Sequence, residues 1–293
     1  MSAPARPWGT RLRAWLVLGR VSNLPTVWSN CLAAWLLGGG GPSPRLATAW
    51  AGAACVYVGG MFLNDACDVA FDRQHRRERP IPAGDISERG AWFGAGLLLV
   101  VGWGLLATLG RTPAWLGGLL VAGVVLYDAT HKRIAFSPVV MALCRYLLFL
   151  TAGAASAEGI NGETMWSALV LGGYIVGLSY VARTESTTGL RQVWPLLLLG
   201  FPLVLAGFLN PPHAWSRGHI AGPALLFTLW TFRSVLALAR PGGSGSREAV
   251  SGLLAGIALV DALAVASGQW PDAALFLGLF AAALALQRLA PAT

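Results

Sequence analysis

Charged residues are scarce in this sequence of 293 residues: only 12% are charged, whereas 55% are hydrophobic. Soluble domains carry about 25% charged residues. Half that fraction cannot cover the surface of a water-soluble protein of this length. The apolar residues also occur in blocks of about 15 to 21, close to the length of a helix that crosses a bilayer. The sequence therefore predicts an integral membrane protein.

Other features are also rare or missing. The sequence has four cysteines without CxxC spacing, so neither a disulfide framework nor a zinc site is indicated. The alternating pattern of transmembrane β-strands is absent, so the spans are expected to be helices. No Ala-x-Ala-like site follows a short apolar region near the N-terminus, and we expect no cleavable signal peptide.

Breaker residues divide the chain into ten candidate spans, or nine if one hairpin is misread. The candidate spans are residues 24–41, 46–64, 91–110, 114–128, 137–156, 165–183, 193–210, 218–238, 250–267 and 272–289. We therefore expect an all-α, polytopic transmembrane bundle that forms one domain over residues 1–293. Residues 1–22 form a short basic segment expected in the cytoplasm, and residues 239–248 are predicted to be a flexible Gly- and Ser-rich linker.

Basic residues fall mostly on one side of such a bundle. With ten spans, 17 of the 21 Lys and Arg residues lie on the same side, and the opposite side has Arg45, Arg111 and Arg217. Positive residues concentrate on the cytoplasmic side of membrane proteins. We therefore expect both termini in the cytoplasm of a bacterial cell with the chain in its inner membrane. The net charge of +8 is interpreted as a topology signal and not as a nucleic-acid-binding surface.

The second span ends in an acidic stretch, Asn64–Asp72, which five arginines follow before residue 90. Asp65, Asp68 and Asp72 are spaced i, i+3 and i+7, which places them on one face of a helix. Carboxylates at the end of a membrane helix repel one another and are costly to desolvate. Such oxygen ligands suit Mg²⁺, and neighbouring arginines suit phosphate oxygens. The spacing indicates a diphosphate–metal site with the three aspartates as metal ligands.

Two alternative roles for these acids stay open. A solvated helix end with local Asp–Arg salt bridges would need no ligand. Acids inside membrane helices also serve proton or cation transport.

The same stretch resembles the first aspartate-rich motif of the UbiA superfamily of membrane prenyltransferases, NDxxDxxxD, followed by RPIPxG. Every fixed position is present between Asn64 and Gly84. Leu24–Asn30 and Tyr127–Arg133 are also similar to family segments, the second to one that contains Tyr and Lys. The resemblance covers most of residues 20–190.

The resemblance implies about nine helices around a central cavity open to the cytoplasmic side. It also implies Mg²⁺-assisted ionisation of a polyprenyl diphosphate and transfer of the prenyl group. The predicted catalytic residues are Asp65, Asp68, Asp72, Lys132 and Glu185. The predicted substrate-binding residues are Asn64, Arg20, Arg76, Arg79, Tyr127 and Arg145.

The sequence departs from the family pattern at the end of the sixth span, where a second aspartate-rich motif is expected. Residues 179–189 contain no Asp, and their one acid is Glu185. Glu185 is therefore predicted to be the remaining ligand of a second metal site. The pattern Arg183-x-Glu185, together with Cys144-Arg145, is similar to the UbiA-like proteins of Ebo gene clusters.

Arg145 is a charge inside a predicted span, and such charges are functional by default. We predict that it faces the cavity and holds a phosphate or an acceptor anion. The alternative is a structural role with a partner such as Glu185 or Asp128. Asp261 also lies within a span, but no motif surrounds it, and a structural role is favoured.

Two hypotheses from different classes fit these observations. The first is an enzyme that uses Mg²⁺ to transfer a prenyl group from its diphosphate to a small or lipid acceptor. The second is a non-catalytic membrane carrier or binding protein for an isoprenoid or related ligand, and the altered second motif favours it. The expected partners are an isoprenoid diphosphate, an unknown acceptor and the lipid bilayer, without nucleic acid.

The distribution of cations predicts that both termini lie on the cytoplasmic side of the membrane. Single cysteines placed at Ala3 and at Ala292, in a chain whose native cysteines are replaced by Ala, should both react with an impermeant maleimide from the cytoplasmic side. Labelling in inverted vesicles and in spheroplasts measures this. A C-terminal cysteine that reacts from the outside would mean an odd number of spans, with residues 250–289 as the misread hairpin.

Overall fold

The computed structural model describes residues 8–132, 134–183, 194–209, 220–240, 244–266 and 270–290. Within these ranges the chain is helical and contains no strand. The helices are α1 (Trp8–Leu18), α2 (Leu24–Leu37), α3 (Pro44–Cys67), α4 (Val69–His75), α5 (Glu88–Ala107), α6 (Arg111–Thr130), α7 (Ser137–Ala154), α8 (Gly162–Arg183), α9 (Trp194–Leu198), α10 (Phe201–Leu209), α11 (Ala221–Leu236), α12 (Ser244–Ala264) and α13 (Trp270–Gln287). Short 3₁₀ turns precede α2 and follow α11.

A helix occupies each of the ten predicted segments, and the seventh segment is split between α9 and α10. In the described part of the chain, six helices are long and apolar enough to cross a membrane. They are Pro44–Cys67, Glu88–Ala107, Arg111–Thr130, Ser137–Ala154, Gly162–Arg183 and Ala221–Ala239. The all-α class is confirmed. The number of spans, nine or ten, and the cavity open to the cytoplasm stay predictions. Helices such as the 14-residue α2 extend for only about 21 Å, which is shorter than the hydrocarbon core of a bilayer.

Large apolar side chains project outward from the bundle. Phe93, Trp115 and Phe208 are 73%, 70% and 85% exposed. Water would make such a surface unfavourable, whereas the hydrocarbon of a bilayer accommodates it. The outer surface therefore supports an integral membrane protein.

Helix α3, which carries Asp65, packs against α5 with little space between the two backbones. A Cβ atom on Gly102 would lie 2.8 Å from the Gly52 carbonyl oxygen and 2.8 Å from the Val56 backbone nitrogen. A Cβ atom on Gly59 would lie 3.1 Å from the Leu99 backbone nitrogen. Small residues at these positions permit the close approach that membrane helices use for van der Waals contact.

Helix α12 forms the centre of the second half of the bundle. It contacts α2, α8, α10, α11 and α13, and its residues Leu253, Ala255 and Ile257 have no exposed surface. A helix buried on all sides is expected to be apolar throughout. Between Gly252 and Leu263 the exception is Asp261, which is 1% exposed.

Two predicted segments differ from the structure in detail. The basic segment 1–22 includes helix α1. The predicted linker 239–248 overlaps α12, which begins at Ser244, so residues 244–248 are helical. Residues 241–243 lie outside the described residues.

The α3–α5 contact gives a stability prediction. Gly102→Ala should lower the free energy of unfolding by about 1–3 kcal/mol, because the new methyl group meets backbone atoms that cannot move aside. Gly104 lies on the same helix with nothing within 4 Å of its Cβ position. Gly104→Ala should be neutral or stabilise by up to about 1 kcal/mol. Thermal unfolding in detergent micelles compares the two variants. Equal melting temperatures would contradict the close contact between α3 and α5.

Candidate functional site

The acidic stretch is divided between two consecutive helices. Helix α3 ends at Cys67, Asp68 lies at the junction with φ −89° and ψ −1°, and α4 begins at Val69. Asp65 and Asp72 are buried, with 6% and 1% exposure. The side chains of the three aspartates contact two groups of cations.

Arg79 joins the first group. Its Nη1 atom lies 2.9 Å from Asp65 Oδ1 and 3.2 Å from Asp72 Oδ2. The loop after α4 brings Arg79 back to the acids, and Gly84 in that loop has φ +78°, a left-handed conformation that favours glycine. Arg79, which is predicted to bind the substrate, therefore contacts the two buried carboxylates in this structure.

Arg20 is a second cation at Asp65. Its Nη2 atom lies 3.4 Å from Asp65 Oδ1, and its Nη1 atom lies 3.6 Å from Met61 Sδ. The backbone of Arg20 has φ +43°, and no other non-glycine residue in the described part of the chain has a positive φ. Backbone strain of this kind costs on the order of 1–3 kcal/mol and clusters at ligand-binding sites.

The second group surrounds Asp68. Lys132 Nζ lies 2.6 Å from Asp68 Oδ1, and His131 Nε2 lies 3.5 Å from Asp68 Oδ2. Burial raises the pKa of Asp68, but hydrogen bonds from His131 and Lys132 outweigh it and lower that pKa below its ordinary value. The hydrogen bond to Asp68 in turn raises the pKa of His131 against the effect of burial. His131 also stacks on Tyr127, with ring centroids 5.2 Å apart.

His131 was not among the predicted site residues. The sequence feature that could have indicated a role for His131 in the site is its position in the Tyr127–Arg133 segment, directly before Lys132. The sequence could not show that α6 ends so close to Asp68, which is what brings His131 into contact.

Asp128 is a further acid that was not predicted to belong to the site. It is 4% exposed, and its Oδ1 atom accepts a hydrogen bond of 3.0 Å from Asn64 Nδ2. Its Oδ2 atom and Asp72 Oδ1 are buried without a hydrogen-bond partner among the described residues. Burial also raises the pKa of Asp72, and the neighbouring Asp65 adds to this effect against the opposing charge of Arg79.

These free carboxylate oxygens bear on whether the site suits Mg²⁺. In the part of the chain that the structure describes, no three His, Cys, Asp or Glu side chains are close enough to form a metal cage. Mg²⁺ commonly takes one or two protein carboxylates and completes its octahedron with phosphate and water. The residues fit that mode, because Asp72 Oδ1 and Asp128 Oδ2 are unpaired among the described residues. Both oxygens of Asp68 contact Lys132 or His131, with which a metal ion would compete.

The remaining predicted residues lie elsewhere. Arg76 is exposed and forms no ion pair with any described residue. Glu185 lies outside the described residues. Arg145 lies deeper in the bundle, where its Nη1 atom is 2.8 Å from Asn30 Oδ1. Asp128, one of the two alternative partners of Arg145, instead contacts Asn64.

The fold and this cluster define an all-helical membrane protein with buried acids and arginines at the end of α3. The family model of the UbiA prenyltransferase family matches residues 23–184. The chain therefore belongs to the UbiA prenyltransferase family.

Curated relatives extend the comparison. The chain is 34% identical over 128 residues to a 4-hydroxybenzoate octaprenyltransferase of Pectobacterium atrosepticum, a match that covers 43% of this chain and 44% of the relative. It is 26% identical over 240 residues to a digeranylgeranylglyceryl phosphate synthase of Metallosphaera sedula, covering 76% and 83%. The match with the first relative thus spans less than half of its length.

A solved structure also has a similar fold. The apo structure of a UbiA homolog from Aeropyrum pernix K1 superimposes with a TM-score of 0.57 at 18% identity, and the match covers 84% of this chain and 97% of the other. At this identity the match shows the fold alone.

The position of Arg79 gives a prediction on stability. Arg79→Gln should lower the free energy of unfolding by about 3 kcal/mol at neutral pH without Mg²⁺, because it leaves two buried carboxylates without their shared cation. The loss should shrink as pH falls, because the folded-state pKa of Asp72 is raised and its protonation removes one charge. Chemical unfolding of the purified protein at several pH values measures both effects.

A matched control is available in the same loop region. Arg73 pairs with Glu88 at 3.0 Å, but their side chains are 58% and 40% exposed. Arg73→Gln should change stability by no more than about 0.5 kcal/mol. Equal losses in the two variants would contradict a special role for the buried pair.

Proposed function

We propose that this chain is a membrane prenyltransferase that uses Mg²⁺ to ionise a polyprenyl diphosphate and transfers the prenyl group to a small or lipid acceptor. The observation that carries the proposal is the buried Asp65–Arg79–Asp72 contact, with one oxygen of Asp72 left without a partner. A buried carboxylate oxygen without a protein partner can accept a metal ion or a water molecule. Membership in the UbiA prenyltransferase family supports the same function.

The residues have distinct roles in this proposal. Asp72 and Asp68, with Asp65, hold Mg²⁺, and Asn64 assists. Mg²⁺, when bound, offsets the negative charge that builds on the leaving diphosphate. Arg79 offers the phosphate oxygens its charge and its directed N–H groups once a ligand competes with the carboxylates.

Further residues complete the donor site in the proposal. Arg20, Arg76 and Lys132 add positive charge around the diphosphate, and Tyr127 lines the same end of the bundle through its stacking on His131. Arg145 faces the acceptor from deeper in the bundle.

The chemistry divides into bond breaking and bond formation. The allylic C–O bond breaks, and its electron pair leaves with the diphosphate. An electron pair of the acceptor forms the new bond to carbon, and the acceptor gives up a proton. The apolar bundle excludes water, which would otherwise capture the cation.

The cellular setting is part of the same proposal. The donor site would open to the cytoplasm of a bacterial cell, with the chain in its inner membrane and both termini inside. The relatives are named for 4-hydroxybenzoate and for digeranylgeranylglyceryl phosphate.

A non-catalytic carrier is the alternative function. Two observations favour it: the acids are held by cations and do not converge on one point, and the second motif has Glu185 in place of aspartates. Incubation of the purified protein with Mg²⁺ and a panel of prenyl diphosphates separates the two functions. Release of diphosphate supports the enzyme, whereas Mg²⁺-dependent binding without release supports the carrier.

Replacement of the acids tests the donor site. Asp68→Asn and Asp72→Asn should each weaken Mg²⁺-dependent binding of a prenyl diphosphate by tenfold or more, about 1.4 kcal/mol, because each removes a charged ligand at nearly constant shape. Glu88→Gln is the control, since Glu88 is an exposed acid that contacts Arg73. Calorimetric affinities that stay at the wild-type value in both Asp variants would reject the metal site.

Glu185 has a test of its own. If it is a ligand of a second metal ion, Glu185→Gln should weaken turnover or donor binding, the defect should shrink as Mg²⁺ is raised, and Glu185→Asp should be partly tolerated. A salt-bridge role would instead lower the melting temperature in a way that Mg²⁺ does not repair. A variant that matches the wild type in both assays would remove Glu185 from the site and strengthen the carrier hypothesis.

A further inference from the structure

Arg183 joins the end of helix α8 to the segment that links Thr130, at the end of α6, to Ser137, at the start of α7. We call this segment the α6–α7 turn. The guanidinium of Arg183 donates to three of its oxygens: the Ala135 carbonyl at 2.6 Å, the Ile134 carbonyl at 3.3 Å and Ser137 Oγ at 2.5 Å. A planar guanidinium that holds three acceptors at once has little freedom to rotate. The α6–α7 turn and the end of α8 are therefore fixed to each other.

The α6–α7 turn carries a cation of the donor site. Lys132 lies in this turn, and its Nζ atom is 2.6 Å from Asp68 Oδ1 and 4.3 Å from the centroid of the Phe71 ring. Two residues of chain span at most about 7 Å, so a backbone held at Ile134 also restricts the backbone of Lys132. The lysine side chain is flexible and 42% exposed, and its contact with Asp68 therefore depends on where that backbone is held.

The position of Arg183 in the sequence gives these contacts a further meaning. Arg183 is the last residue of α8 and directly precedes the segment in which a second aspartate-rich motif was expected. That segment has no Asp, and its one acid is Glu185. The hydrogen bonds of Arg183 link the end of α8 to the turn that carries Lys132, and this link needs no metal ligand on α8.

Arg45 makes a chemically similar contact at the other end of α3. Its Nη2 atom donates to the carbonyl oxygens of Leu109 at 2.6 Å and of Ala155 at 3.3 Å. The rise of an α-helix places Arg45 about 30 Å from Asp65 along the axis of α3. Arg45 is therefore a matched control for the purely structural effect of losing an arginine that holds backbone carbonyls.

We propose that Arg183 is a positioning residue of the donor site, which fixes the α6–α7 turn so that Lys132 stays at Asp68. The end of α8 then contributes to diphosphate binding through an arginine and not only through acids. The effect on diphosphate binding rests on the proposed function, whereas the placement of Lys132 does not. If Arg183 were merely structural, its loss would lower stability and leave Lys132 unchanged.

The reactivity of Lys132 tests its placement without any ligand. Lys132 is the only lysine in the sequence, so acetylation by an amine-reactive ester, followed by peptide mass spectrometry, reports on this side chain. Asp68→Asn removes one charge of the ion pair and gives the rate for a released Lys132. Arg183→Gln should raise the wild-type rate at least threefold, toward the rate in Asp68→Asn. Arg45→Gln should keep the wild-type rate even where it lowers the melting temperature.

Donor binding tests whether Arg183 acts through Lys132. Calorimetry measures the Mg²⁺-dependent affinity for geranyl diphosphate. Arg183→Gln should weaken this affinity at least threefold, and Arg45→Gln should not change it. The double variant Arg183→Gln with Lys132→Gln should bind no more weakly than Lys132→Gln alone, because the second change removes the group that Arg183 positions. Additive losses would overturn the proposal.

A milder variant keeps the test valid if Arg183→Gln does not fold. Ser137→Ala removes one of the three acceptors of Arg183 and should raise the acetylation rate of Lys132 by a smaller factor. A wild-type rate in folded Arg183→Gln, or in Ser137→Ala where the first variant does not fold, would overturn the proposal. Absence of donor binding in the wild type would contradict the proposed function, while the acetylation rates would still decide whether Arg183 places Lys132.

Discussion

Burial of carboxylates in an apolar helix bundle is the constraint on which the site depends. A buried carboxylate without a partner is costly, and the cost grows in a membrane. Asp65, Asp68 and Asp72 are accordingly paired with cations from other parts of the chain. Arg79 returns from the loop after α4 to reach Asp65 and Asp72, and Lys132 arrives from the end of α6 to reach Asp68. In the loop after α4, these contacts act together with the buried side chains of Ile81 and Ile86.

The cations of the site neutralise the acids and link α3, α4 and α6. Under the proposed function, a metal–diphosphate ligand would give the acids a new counter-charge and would give the cations phosphate oxygens, so the local charge would stay balanced. The close glycine contact between α3 and α5 would hold the backbone near Asp65 in place during that exchange.

The sequence was sufficient for the helical class and for the helix in each predicted segment, whereas the roles of the acids and arginines stay predictions. It was insufficient where tertiary contacts decide. Helix spacing could not reveal that Lys132 and His131 contact Asp68. The role of His131 depends on where α6 ends. The link from Arg145 to Asp261 joins helices that are remote in sequence, and no local pattern reports such a pair.

The two hydrogen bonds of the Asn30 amide limit how this position and its two partners can change in evolution. Its oxygen is directed at Arg145 and its nitrogen at Asp261, over sequence separations of 115 and 231 residues. Loss of any one of the three side chains leaves a buried charge or amide unmatched, and reversal of the amide would oppose donor to donor. The three positions on α2, α7 and α12 thus form one unit, so descendants of this protein are expected to keep the trio or to replace it together.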